Sequence, residues 1–202
     1  MTSNDMTKHL ILASKSASRR AMLDAAGVAY ESIPADIDER AVEASLHGAE
    51  PAEVAEALAV AKAAAVAALR DRTLVLGSDS LVVAGGRRFD KPRSVEEAGE
   101  HLRFFSDKVM ELHSAAALVR DRECLWSHSS IARLHVRPLS EEFIAHYLTL
   151  EWPAISHTVG AFRIEGPGVQ LFDRIEGDQF TVLGMPLLPL LDALREEGVL
   201  IA

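Results

Sequence analysis

The stretch from His9 to Ile33, HLILASKSASRRAMLDAAGVAYESI, decides the fold class. HLILA (His9 to Ala13) is a short apolar run of the kind that a sheet buries on both faces. It gives way to seven polar or small residues, Ser14 to Arg20, in which Ser16 or Ser18 can cap a helix. Met22, Leu23 and Ala26 then fall at helical spacing, and Gly27 stops the helix. Tyr30 to Ile33 is a second short strand, closed by Pro34. Strand, polar turn, helix and strand together open an α/β fold.

The chain beyond continues in the same alternation. Pro51 suits a first helical position, and the Ala-rich run behind it predicts a helix to about Arg70. Thr73 to Leu76 is predicted as a strand ending in Gly77, Ser78, Asp79, Ser80, with Leu81 to Ala84 again extended. Gly85-Gly86 turns a hairpin into Arg87 to Phe89. Ser94 and Glu97 have capping-box spacing for a helix to about Phe105. Val109 to Val119 and Cys124 to Val136 read as long strands joined by the charged turn Arg120 to Glu123. Ser140 caps a helix through Leu150, Trp152-Pro153 breaks the chain, and Gly160 to Gly184 is rich in Gly and charge. Pro186 opens a last helix, Leu187 to Glu197. The expected architecture is a mixed twisted sheet flanked by helices. It forms one domain over residues 1–202, whole or split into two lobes around a cleft.

Composition narrows the function. Of 202 residues, 49% are hydrophobic and 25% charged, which excludes a disordered chain. A net charge of −9 disfavours non-specific binding to nucleic acid. The single Cys124 excludes a disulfide framework and a Cys-based zinc site. The eight histidines show no metal-binding spacing, and His101, His113, His128, His135, His146 and His157 read as scattered surface or strand residues. Met1 to Lys8 is polar, without the pattern of a signal peptide, and no apolar run approaches the roughly 18 residues of a spanning helix. The expectation is a soluble cytoplasmic protein with neither membrane nor nucleic-acid partners.

Four segments can carry chemistry. SKSASRR joins a strand end to a helix start, where free backbone N–H groups meet hydroxyls, a Lys and two Arg. That suits a phosphate chain, although the Walker A spacing is missing. Read blandly, the same residues are a capped helix with a solvated basic first turn. Asp79, placed at a strand end, could accept a proton from water or hold a divalent cation; alone it reads as a turn residue. Asp36, Asp38 and Glu39 offer hard oxygen ligands suited to Mg²⁺ or Mn²⁺, and by themselves read as an exposed acidic loop. Lys62 in its Ala/Val helix and Lys91 before Pro92 read singly as a snorkelling and a surface lysine.

Taken in order, LILASKSASRRAMLDAAGV (Leu10 to Val28), IPADIDER (Ile33 to Arg40), Lys62-Ala63, LVLGSDSLVV (Leu74 to Val83), DKP (Asp90 to Pro92) and EGPGVQLFDRIEGDQFTVLGMPLLPLLDALRE (Glu165 to Glu196) resemble the Maf family of nucleoside triphosphate pyrophosphatases. The resemblance spans nearly the whole chain. It implies an α/β fold with a deep cleft, similar to the inosine triphosphate pyrophosphatases, together with a divalent metal requirement and a homodimer. It implies Asp79 as general base and metal partner, and Glu39 as a second metal partner. Ser14, Arg19, Arg20, Lys62 and Lys91 match the family's phosphate-binding positions. The implied reaction is hydrolysis of a nucleoside 5′-triphosphate to the monophosphate and pyrophosphate, clearing non-standard or excess nucleotides. A nucleotide sensor without turnover, acting on cell division, is the alternative, and retention of Asp79 argues against it.

The departures bear on the base. Ala17 replaces the family Pro, and Thr158, Val159, Gly160, Ala161, Phe162 replace a K-A-G-x-Y block. Ser106, Asp107, Lys108 stand for a Ser-Gly-Arg segment. Ser18 and Ser80 are smaller than the residues usual at their positions, which implies a roomy pocket. Glu165 stands where the branch resembling dTTP and UTP hydrolases has Gln and the branch resembling 7-methyl-GTP hydrolases has Glu. A carboxylate offers acceptors only, matching the two donors of a guanine edge rather than the imide of uracil. As an alternative, Glu165 only caps a Gly-rich turn. The expected specificity is broad and includes a guanine or modified-guanine triphosphate.

Overall fold

The computed structural model describes residues 9–201; Met1 to Lys8, expected to be polar and without a signal peptide, lie outside the described residues. Strand β1 (Leu10–Leu12) is fully buried and pairs in parallel with β2 (Glu31–Ser32) on one side and with β3 (Leu74–Ala84) on the other. Between β1 and β2 runs helix α1 (Ala17–Ala25), capped by Ser16, whose hydroxyl accepts the Arg19 N–H; Gly27 at φ +69° follows it. After β2 comes helix α2 (Glu39–Ala44), where residue types alone predict an exposed acidic loop. Asp38 is its N-cap and accepts the Ala41 N–H at 3.0 Å, so this carboxylate satisfies a helix end. Asp36 is exposed in the approach to it.

Helix α3 (Pro51–Ala67) buries Ala55, Leu58, Ala59, Ala63, Val66 and Ala67, one stripe at helical spacing. The small residues allow close approach to β3. A Cβ on Gly77 would lie 2.0 Å from the Ala59 carbonyl oxygen and 2.8 Å from the Ala63 nitrogen. Only glycine fits there, and that contact sets where the next turn of α3 meets the strand.

Strand β3 is longer than expected. The Gly77 to Ser80 segment is a continuous part of the strand, so Asp79 lies in mid-strand and not at a strand end. The strand tolerates buried polar groups because they find partners: Ser78 donates to the Gly184 carbonyl at 3.2 Å. Hairpin strand β4 (Arg87–Phe89) pairs antiparallel with β3 through Gly85 and Gly86 at φ +55° and +73°, as the two glycines predict. Helix α4 (Val95–Phe105) follows, with Ser94 capping as expected. The Glu97 carboxylate, however, accepts the Arg93 N–H at 2.8 Å, one residue before the cap.

Strands β5 (Val109–Arg120) and β6 (Glu123–Val136) are joined by Asp121 and Arg122, both at positive φ. Helix α5 (Glu141–Glu151) is capped by Ser140. Short 3₁₀ turns lead to β7 (Phe172–Glu176), a strand that the Gly-rich region hid, and to the single-turn helix α6 (Gln179–Val182). Helix α7 (Leu187–Glu196) closes the chain. The seven strands form one mixed sheet in the order β2-β1-β3-β5-β6-β7, with β4 on β3 and β7 antiparallel to β6. Among the described residues no helix is long and apolar enough to cross a membrane.

The chain divides into two compact units. One runs through Asp79 and takes in Ser114–Ser130 and the segment from Gly184 onward; the other comprises Ser80–His113 and Ile131–Leu183. A core cluster of the first joins Ile11, Ala13, Ala63, Val66, Ala67, Val75 and Val119. The second has an aromatic core in which Phe89 meets Phe105 edge-on at 4.6 Å and Phe162 meets Phe172 at 5.0 Å. His101 belongs here too. It is buried on helix α4 and meets Phe89 edge-on, contrary to its reading as a surface or strand residue; His113 is buried in strand β5.

Candidate active site

The first unit holds seven of the residues singled out in the sequence: Ser14, Ser18, Arg19, Arg20, Glu39, Lys62 and Asp79. Lys62 projects from α3 next to Ala63, the residue that packs over Gly77, and so reaches the part of β3 two residues further on. Its ammonium donates to Asp79 Oδ1 and lies 2.8 Å from Glu39 Oε1. The Lys62 and Asp79 side chains are 14% and 11% exposed, against 48% for Glu39. A carboxylate so buried needs a compensating cation, and Lys62 supplies it. Lys62 is thus part of a charge cluster and not a snorkelling helix lysine.

Arg19 lies alongside. Its Nε donates to the Gly184 carbonyl at 3.0 Å, and one terminal nitrogen reaches Ser14 Oγ at 3.4 Å. Burial pushes the Arg19 guanidinium below its ordinary range, while Asp79 and Glu39 pull it back up. Ser14 is buried. Its hydroxyl accepts the Ser16 N–H at 3.1 Å, and its carbonyl accepts the Ser32 hydroxyl at 3.0 Å. The Ser16 and Ser18 hydroxyls share a hydrogen bond of 3.0 Å. Arg20 is exposed on the first turn of α1.

This end of α1 therefore carries hydroxyls and two guanidinium groups where helix amides already favour an anion, an arrangement electrostatically suited to phosphate oxygens. Gly184 and Ser78 were not singled out from the sequence. They enter because the Gly184 carbonyl accepts from both Arg19 and Ser78, over separations of 165 and 106 residues. Nothing local in the sequence signals a bond of that span.

The remaining three candidates lie in the second unit. Ser80 is half-buried directly after Asp79, and Lys91 is exposed beside Asp90, which pairs with Arg88 at 3.4 Å. Glu165 is exposed in the turn before the 3₁₀ segment Pro167–Leu171.

Among the described residues no group of three or more His, Cys, Asp or Glu side chains could hold a metal ion. Asp79 and Glu39, however, direct oxygens at one ammonium. Two converging carboxylates fit Mg²⁺ or Mn²⁺, which commonly take one or two protein carboxylates and complete their shell with substrate phosphates and water.

A mixed sheet flanked by helices, with a carboxylate, an ammonium and a serine–arginine helix start brought together in one unit, defines an α/β protein whose cluster is electrostatically suited to phosphate. The family model described as Maf-like protein matches residues 9–197, and the chain belongs to that family. Among curated relatives, the 7-methyl-GTP pyrophosphatase of Rhizobium etli is 50% identical over 197 residues, covering 96% of this chain and 99% of its own. That of Rhizobium meliloti is 51% identical over 193 residues, covering 95% of this chain and 97% of its own. The nucleoside triphosphate pyrophosphatase of Sphingopyxis alaskensis is 47% identical, covering 94% and 98%. Among solved structures, a nucleoside-triphosphatase/dITP/XTP pyrophosphatase from Mycobacterium abscessus is 15% identical at a TM-score of 0.42, covering 94% of each chain.

Proposed function

We propose that this protein hydrolyses nucleoside 5′-triphosphates to the monophosphate and pyrophosphate, with an N7-methylated guanosine triphosphate as a preferred substrate. The observation that carries the reading is Lys62 held between Asp79 and Glu39 next to the Ser14–Arg19 end of α1. Relatives of about half-identical sequence bear the names of enzymes for this reaction.

In the proposed step a water oxygen bonds to the α-phosphorus and the bond from that phosphorus to the bridging α–β oxygen breaks, so that pyrophosphate leaves. Asp79 accepts the proton of the attacking water. Arg19, Arg20 and Lys62 take the phosphate oxygens, and Ser14 donates to them. An incoming triphosphate competes with Asp79 for the Lys62 ammonium, so substrate binding also uncovers the base. Asp79 and Glu39 would hold a divalent cation, which when bound supplies charge neutralisation to the triphosphate.

Purified protein is incubated with a nucleotide panel that includes 7-methyl-GTP, GTP, UTP and dTTP, with Mg²⁺ or Mn²⁺. Release is read with and without added inorganic pyrophosphatase. Phosphate that appears only when that enzyme is added supports the reading, whereas phosphate released without it, or no release from any nucleotide, overturns it. The reading extends to a cytoplasmic homodimer, for which light scattering on the purified protein should return twice the chain mass.

A further inference from the structure

Ser78 and Asp79 are neighbours in strand β3, so their side chains leave it on opposite faces. Gly77 and Asp79 face helix α3, the first against the backbone of Ala59 and Ala63, the second on the Lys62 ammonium. Ser78 lies between them and points the other way. It is fully buried and donates to the Gly184 carbonyl at 3.2 Å. The same carbonyl oxygen accepts Arg19 Nε at 3.0 Å. Gly184 is buried and holds φ at +101°, a conformation that favours glycine, so the chain itself aims this carbonyl. All of these residues belong to the first unit.

The direction of each hydrogen bond decides what remains available to a ligand. With Nε spent on Gly184, Arg19 meets a ligand only through its terminal nitrogens. One of these donates to Ser14 Oγ at 3.4 Å, and the Ser16 N–H donates to the same oxygen at 3.1 Å. Both lone pairs of the Ser14 hydroxyl are therefore taken, and among the described residues nothing accepts its hydrogen. Anchoring Arg19 thus also sets Ser14 as a donor. An arginine held in advance avoids the ordering cost that a loose, rotamer-rich side chain meets when a ligand binds.

We propose that Ser78 is a positioning residue for phosphate binding: through the Gly184 carbonyl it holds the Arg19 guanidinium in register with Asp79, the next residue of the same strand, so that Arg19 and Ser14 meet a phosphate chain already ordered. This rests on the reading that Arg19 takes a phosphate oxygen.

Calorimetry measures Kd for pyrophosphate in Mg²⁺ buffer for wild type, Ser78→Ala, Arg19→Lys and the double variant, with thermal unfolding as a check on each. Ser78→Ala removes only the hydroxyl and should weaken pyrophosphate about fivefold, the size expected when one long side chain must be ordered on binding. Arg19→Lys keeps the charge but has no N–H at the position of Nε, and should weaken it about tenfold. On that background Ser78→Ala should change Kd by less than about twofold, because its route to the ligand is gone. A serine that only steadied the strand would cost the same factor on both backgrounds, and that result overturns the proposal. An unchanged Kd in Ser78→Ala overturns it as well. If Arg19→Lys also leaves Kd unchanged, the phosphate reading of Arg19 itself fails; if Arg19→Lys weakens binding and Ser78→Ala does not, the role of Ser78 alone is lost.

Discussion

The contact between α3 and β3 at Gly77 couples the fold to the site, and Gly77→Ala puts a magnitude on that coupling. The added methyl would sit 2.0 Å from the Ala59 carbonyl oxygen, whereas real contacts of this kind stay beyond 3.0 Å, so helix and strand must part by about 1 Å. The opposing atoms are backbone, and no side-chain rotation relieves them. Overpacking of a core typically costs about 1–3 kcal/mol, and a backbone clash belongs at the upper end. At about 3 kcal/mol, a chain of this length should lose roughly 6–12 °C in Tm.

The same displacement moves Lys62, which leaves α3 beside Ala63, away from Asp79. A misplacement of about 1 Å can cost on the order of a hundredfold in rate. The assay pairs thermal unfolding with kcat for the best nucleotide of the panel. Gly86→Ala serves as the control: it meets nothing within 4 Å and carries only the strain of φ +73°. That should cost about 1–2 kcal/mol and leave kcat unchanged. A Gly77→Ala protein with wild-type Tm and wild-type kcat would refute the claim that this glycine sets the distance between helix and strand.

Three further outcomes are expected. Asp79→Asn keeps the side-chain shape but cannot take a proton from water, so kcat should fall by ~10²–10⁴-fold, and near-full turnover in that variant would remove Asp79 as base. Lys62→Met strands a carboxylate that is 11% exposed and should destabilise the fold by about 3 kcal/mol, while adding Asp79→Asn should restore most of the lost Tm; a double variant less stable than the single one would sink the pairing argument. Burial pushes His101 below its ordinary value of 6.5, so the native state takes up this proton less readily than the unfolded chain. Its contribution to stability is then full above that value and is lost as pH falls below it. Urea midpoints at about pH 7.5 and about pH 5.5 should therefore diverge less in His101→Phe than in wild type, and parallel falls would contradict this.

Much of the fold was legible because local rules and burial agree. The β1–α1–β2 opening, the Ala-rich α3, the Gly85-Gly86 hairpin and the caps at Ser16, Ser94 and Ser140 all appear where residue types place them. Other elements were misread for a physical reason in each case. Helix α2 was hidden because Asp38 suits a metal as well as a helix cap, and type alone does not separate the two uses. Strand β7 was hidden because a strand of five residues with four exposed shows no burial pattern.

Strand β3 is the informative failure. Gly77, Ser78, Asp79 and Ser80 are turn residues by composition, and a local reading ends the strand before them. The strand runs on because each requirement is met from far away in the sequence: Gly77 by the backbone of α3, Ser78 by the Gly184 carbonyl, and Asp79 by Lys62. Those partners are the groups that assemble the candidate site, since Gly184 also holds Arg19 and Lys62 also reaches Glu39. Of the residues that break the strand pattern, Asp79 has a chemical task in the proposed reaction, and Gly77 and Ser78 meet the groups that surround it. A polar interruption inside an otherwise apolar strand marks a site when its partners converge, as they do on Asp79, and a loop when they do not.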